Sequence, residues 1–251
     1  MNAPEAPAVS MCAVHADRRS VTTCKRCGRF ACAACLPNLD ELCVECHRRV
    51  TMELPPLEGR ALAAQVALYA IAGLHAVMGL VNVVQVATDD LAEDSPLAVV
   101  YGLTAILYLL VYLATIIVVS MWFHRAAKHA LALGAQLEHA STPGGAVGSW
   151  FIPFVNLARP FTIARQMMSH AGVDGGIVNT WQATWVLGNI IGNVSSRMEA
   201  SSGHAGQVTG ALSDACLIVA AISAAQVARK LKWNAPGSDA RPSLFTPPTA
   251  N

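Results

Sequence analysis

Charge is what this chain lacks. Of its 251 residues, 13% are Asp, Glu, Lys or Arg, about half of the roughly 25% carried by an ordinary soluble domain. The shortage excludes a uniformly solvated surface, and it is unevenly spread. Residues Ala61 to Thr88, Ser95 to Phe123 and Gly175 to Ser196 contain no charged side chain, and a fourth run from Gln207 to Ala228 contains only Asp214. An excess of one sign is missing too: 17 basic against 16 acidic residues leave a net charge of +1. Bulk charge therefore gives no hold on nucleic acid. Cysteine is absent from most of the chain, with seven of eight between Cys12 and Cys46 and only Cys216 elsewhere. That distribution excludes a chain-wide disulfide framework and fits metal ligation in a reducing compartment. The first ten residues, MNAPEAPAVS, hold neither a basic n-region nor an apolar core, so no cleavable signal peptide is expected.

What is present begins with the cysteines. Their order is Cys12-x2-His15, Cys24-x2-Cys27, Cys32-x2-Cys35 and Cys43-x2-Cys46, with His47 directly following. A two-residue gap lets both side chains of a knuckle reach one ion, and zinc takes four thiolate or imidazole ligands in a tetrahedron. Four pairs supply eight ligands, enough for two closed sites. Val21, Phe30 and Ala31 are too few apolar residues to fold such a module alone, so the metal must supply most of the folding free energy. Gly28 suits the tight turn after the second pair.

The pattern resembles a B-box-type zinc finger. The resemblance implies two Zn2+ ions held in cross-braced fashion, Cys12 and His15 sharing one with Cys32 and Cys35, and Cys24 and Cys27 sharing the other with Cys43 and Cys46. B-boxes usually finish with histidines, which leaves His47 as a rival to Cys46 for the last position. A RING-type ligase is disfavoured by the short gap after the first pair. Between residues 12 and 50, seven basic and four acidic side chains are offset by seven thiolates and two divalent ions. The loaded module is near neutral and releases few counterions. A cytosolic protein partner is expected, and nucleic acid is not.

Residues 48–60 read as a Pro-Pro linker. Beyond it, about 20 apolar residues suffice for a helix to cross a bilayer, and each of the four runs reaches that length. Asp89, Asp90, Glu93 and Asp94 separate the first two, and Arg229, Lys230 and Lys232 close the last. Positive residues stay on the cytoplasmic side. With the amino terminus inside, 16 of the 17 Lys and Arg lie inside, Arg197 being the exception. The expected fold is an all-α integral membrane bundle of four transmembrane helices over residues 61–232. It carries a cytosolic interfacial segment at 124–174, a zinc module at 12–47, disordered ends at 1–11 and 233–251, and both termini in the cytosol.

The elements WFHRAAKHA (122–130) and PGGAVGSWFIPFVNLARP (143–160) resemble a bacterial domain-of-unknown-function family of multi-pass membrane proteins, over roughly residues 60–232. The resemblance implies a bacterial inner membrane and brings no activity. Within 124–174, the second helix is expected to continue to about His139 and stop at Pro143-Gly144-Gly145, with Trp122 and Phe123 as interface anchors. The short apolar run Ser149 to Phe161 reads either as an interfacial or re-entrant segment or as a buried connector, with Arg159 and Arg165 meeting head groups. His124, His129 and His139 read as interfacial side chains rather than a third metal site.

Polar groups at membrane depth are costly and mark functional sites by default. Asp214 lies some nine residues from the outer end of its run and His75 about twelve from the outer end of its own. At about 1.5 Å per residue their depths differ by about 5 Å, so they can pair if the two helices touch. Asn82, Asn189 and Asn193 lie at similar or shallower depth. One reading is a polar pocket for a proton, ion or small ligand, which would make the protein a small transporter or channel. The other is interhelical hydrogen bonding, with Gly188-x3-Gly192 and Gly206-x3-Gly210 as close-packing faces that would also suit a homo-oligomer. Ser149 has no histidine at matching depth, so no catalytic constellation and no enzyme activity are expected. The favoured function is a zinc-binding membrane protein whose finger docks a protein while the bundle serves as anchor or sensor.

Overall fold

The charge-free runs fold as long helices. The computed structural model describes residues 10–36, 42–88, 96–199 and 203–231. The acidic loop Asp89 to Asp94, residues 1–9 and the tail from Lys232 onward lie outside them. The chain divides into two compact units, one made of residues 1–55, 129–135 and 233–251 and the other of 56–128 and 136–232.

The first unit holds the cysteine module. Strands β1 (Thr22–Thr23) and β2 (Phe30–Ala31) pair antiparallel, Thr22 opposite Ala31 and Thr23 opposite Phe30. Met11 forms an isolated bridge with Arg19, so order begins before the first cysteine. Helix α1 (Val44–Glu53) starts at Cys43 and runs through Cys46 and His47. Residues 48–53, read from sequence as linker, are therefore helical. The break falls at Leu54, in extended backbone, ahead of Pro55 and Pro56, where proline can no longer supply the helical N–H.

The second unit is built on α2 (Glu58–Thr88), α3 (Pro96–Ala132), α6 (Gly176–Glu199) and α7 (Gly203–Lys230). Helix α7 packs along both α2 and α6. Among the described residues, three helices are long and apolar enough to cross a membrane: Glu58–Thr88, Val99–Ala132 and His204–Lys230. The four spans expected from sequence are thus met by three on length and apolarity. Helix α6 has 24 residues, but Asn179, Gln182, Asn189 and Asn193 dilute it. Helix α3 is the outward-facing one, with 6% of its apolar window buried against 33% for α2 and 39% for α7.

The connecting segment differs from the sequence reading in three ways. Helix α3 ends at Ala132, seven residues short of His139, because Gly134 turns the backbone to φ +97°. The Pro-Gly-Gly run opens a helix rather than closing one. In α4 (Pro143–Gly148), Thr142 accepts the Gly145 N–H at 3.0 Å and Pro143 occupies the first turn, where its missing N–H costs nothing. Trp122 and Phe123, expected as interface anchors, are fully buried. Phe123 meets Trp150, whose ring stacks on Trp181 at 5.5 Å and meets Phe161 at 5.4 Å. This aromatic core ties the end of α3 to α5 (Arg159–His170) and the first turns of α6.

The Ser149 to Phe161 run is split between two surroundings. Ser149 is buried and donates to the Ala146 carbonyl at 2.7 Å. Phe151, Ile152 and Leu157 are exposed, and Phe154, with φ +63°, is 86% exposed. Arg165 does not project outward but donates to Asn179 Oδ1 at 3.0 Å and Gln182 Oε1 at 2.9 Å. Of the three histidines, His124 and His139 are exposed. His129 is buried, its Nε2 3.0 Å from the Pro55 carbonyl.

Candidate metal centres and a buried polar cluster

The short hairpin and α1 gather the cysteines into two groups of four, Cys12, His15, Cys32 and Cys35 in one and Cys24, Cys27, Cys43 and Cys46 in the other. The pairs interleave along the chain, so each group staples the other's connecting segments. In every group the ligand atoms lie within 4.8 Å of one another. A tetrahedron with metal–sulfur bonds of about 2.3 Å and metal–nitrogen bonds of about 2.0–2.1 Å sets ligand atoms roughly 3.5–3.8 Å apart. Cys12 Sγ is 3.7 Å from Cys35 Sγ, and Cys27 Sγ is 3.9 Å from Cys43 Sγ. His15 Nδ1 stands 3.2, 3.5 and 4.0 Å from the sulfurs of Cys35, Cys32 and Cys12. These spacings are far longer than a disulfide bond of about 2.05 Å and fit ligands around an ion.

Backbone turns make the first thiol of each site a ready ligand. Burial opposes ionisation of Cys12, but N–H groups of His15, Val14 and Cys32 outweigh it and bring the thiol down to about 6. At Cys24 burial is outweighed in the same way by N–H groups of Cys43, Cys27 and Arg26, again giving about 6, and the Cys43 N–H donates to its sulfur at 3.2 Å. The Cys24 knuckle closes through Gly28 N–H to Cys24 O at 2.8 Å, with Gly28 at φ +69°, a conformation glycine adopts without strain. The later thiols move the other way. Burial and the neighbouring sulfurs push Cys35 and Cys46 up to about 12, because thiolates packed this closely repel one another. Four ligands of this kind sit together as anions only around a cation. The donor set and its electrostatics therefore suit a metal ion. Cys46 completes the second group, while His47 is buried outside it.

In the second unit the structure brings three of the five singled-out polar residues together. His75 Nδ1 shares a hydrogen bond with Asp214 Oδ1 at 2.7 Å, and Asn82 Nδ2 donates to Asp214 Oδ2 at 3.4 Å. The three are 5%, 7% and 5% exposed. Gly79 makes room for the carboxylate, since a Cβ there would stand 3.2 Å from Asp214 Cβ. The Tyr108 ring of α3 meets His75 edge-on at 5.0 Å.

Asn189 and Asn193 do not join this cluster. Both are exposed and donate to carbonyls of their own helix, Trp185 O and Asn189 O, at 2.7 Å each. Residues that sequence reasoning passed over do line the seam. Ser195 donates to Gly206 O at 2.7 Å, Ser213 to Gly188 O at 2.8 Å, and Gln207 to Gln85 Oε1 at 3.3 Å. Their signal was heptad-like spacing: His75, Asn82 and Gln85 on one helix, Gln207, Gly210 and Asp214 on the other. The glycines are spent inside the chain. A Cβ on Gly188 would lie 2.8 Å from Leu217 Cγ, one on Gly192 2.9 Å from Ser213 Oγ, and one on Gly210 3.2 Å from Asn82 Nδ2.

The family described as Domain of unknown function (DUF4328) matches residues 85–232. The match begins near the end of α2 rather than at about residue 60, so it takes in Asp214, Asn189 and Asn193 and leaves out the metal groups, His75 and Asn82. No curated protein and no solved structure matches the chain. Helices α3 to α7 and the aromatic core fall within the matched residues, and the chain belongs to the DUF4328 family.

Proposed function

We propose that this is a zinc-binding, multi-pass protein of a bacterial inner membrane, its finger a protein-docking module and its bundle an anchor or sensor. The observation that carries the reading is the union of two interleaved four-ligand groups with three membrane-length apolar helices on one chain. Thiolate-rich tetrahedra favour zinc over harder ions. The finger then belongs in the reducing cytosol, which matches the positive-inside count and puts both termini there. A B-box-like role follows from the cross-braced pairing.

Helix α6 supplies the fourth crossing in this reading. Its 24 residues make about 36 Å of helix, enough for a hydrocarbon core of about 30 Å. Thr184 Oγ1 and the Nδ2 groups of Asn189 and Asn193 each donate to a carbonyl one turn back, which lowers the cost of facing lipid. A second reading is carried by the 2.7 Å His75–Asp214 contact, with the bundle handling a proton, ion or small ligand there.

The test is in-cell cross-linking of the full-length chain beside a form lacking residues 1–50, with zinc measured on the purified, reduced protein. Docking requires protein adducts that disappear with the finger. An unchanged adduct set, or a preparation without zinc, overturns the reading.

A further inference from the structure

We propose that the His75–Asp214 pair is a binding site for one exchangeable proton, reached from a single side of the bundle. The inference rests on the membrane reading above and narrows its second form. The seam between α2 and α7 carries a file of polar side chains toward one end. From the ends that carry the α2–α3 and α6–α7 connections, Gln85 and Gln207 meet at 3.3 Å. Asn82 follows, buried beside Gly210 and Ser195, and then comes the pair itself. Gln85 to His75 is ten residues, about 15 Å of helix, so the file leads from the outer end of the helices to mid-depth.

Directly past the pair the seam turns apolar. Ile71, Ala72 and Ala221 are buried there with Tyr108, Val111, Ile218 and Ile222 packed against them. The hydrogen-bonded polar file therefore stops at this apolar cluster. A site of this shape can load and unload a ligand from one side only.

The ligand is a proton because nothing larger fits the contact. His75 Nδ1 and Asp214 Oδ1 touch at 2.7 Å, which leaves no space for an ion between them. The other carboxylate oxygen faces the N–H of Asn82, a donor that would repel a cation, and two ligands fall short of the four to six a metal needs. With one proton the pair carries net charge −1, and with two it is neutral. The difference is one full charge at a place where charge is expensive. The other titratable groups around the pair are Tyr108 against His75, Tyr112 stacked on Tyr108, and Cys216 on the α6-facing side of α7. None of them is a carboxylate or an amine, so the pair's own proton sets the local charge.

The full-length chain, with 15N-labelled histidine in lipid nanodiscs, tests this directly. His75 is the ring signal lost in His75→Gln. We expect that signal to change protonation in one step over a titration from about pH 4 to about pH 9. Asp214→Asn should move the step, and Gln85→Leu should slow its proton exchange severalfold. A His75 signal constant across the whole range in the unsubstituted protein overturns the site, whether or not the Asp214 variant assembles. Exchange unaltered by Gln85→Leu overturns the route. A chain that needs no lipid to stay in solution overturns the membrane reading and the inference with it.

Discussion

The metal groups and the His75–Asp214 pair are both small polar constellations, yet they are held in opposite ways. In the finger the ligands come from short knuckles, and almost no apolar core surrounds them: Cys12, Ala31, Cys32 and Cys35 form one small cluster, Cys24, Leu42 and Cys46 another. The candidate ligands themselves make up most of that small buried core. In the bundle, long helices fix the geometry and the polar pair is an inclusion within it. The contrast teaches that removing a ligand should dissolve the first unit, whereas removing a polar partner should strain the second without dismantling it.

The largest effect to look for is metal removal. Chelation should unfold the 12–50 module, because zinc in small fingers supplies about 10–16 kcal/mol of apparent binding free energy. Far-UV circular dichroism of the purified chain should lose the finger's share of signal while the long helices persist. Cys32→Ser should likewise abolish one site and weaken the other through the shared hairpin, read as zinc per chain.

Next comes the pair. His75→Leu leaves Asp214 buried with only the 3.4 Å contact to Asn82, and stranding a buried charge costs about 3–5 kcal/mol. The double replacement His75→Leu with Asp214→Leu should recover much of that loss in a detergent melt. A double variant as unstable as the single one would erase the distinction between inclusion and scaffold.

A smaller loss is expected at Gly188→Ala, where the new methyl would stand 2.8 Å from Leu217 Cγ, and overpacking of this kind costs about 1–3 kcal/mol. Smallest of all is Asn189→Leu. The residue is exposed and bonds only to its own helix, so its melt should stay within about 0.5 kcal/mol of the parent.

The two regions also differ in how far residues alone reveal them. Ligand spacing is local, so the eight residues that the structure gathers into two candidate groups could be named from the order of cysteines, with Cys46 rather than His47 in the second. Depth along a helix is also countable, which placed His75, Asn82 and Asp214 within reach of one another. Azimuth is not countable in the same way. Asn189 and Asn193 share the depth but point away, because Gly188 and Gly192 take the face of α6 that meets α7. The connecting segment was the least legible. Its prolines serve equally to end helices and to begin them, and only the Thr142 cap settles which. Trp122 and Phe123 looked like interface residues because aromatic rings next to charge often are. Their burial depends on Trp150 and Phe161, far off in sequence.

Phe154 has a consequence of its own. A bulky residue in left-handed backbone costs of order 1–3 kcal/mol, and here the ring is held outward instead of being tucked away to relieve it. Backbone bonds close the turn around it, Val155 N–H to the Pro153 carbonyl at 2.8 Å and Asn156 N–H to the Ile152 carbonyl at 3.0 Å, so the exposed ring stands as a preset prow. Replacing Phe154 with glycine would slacken the backbone and blunt the prow together.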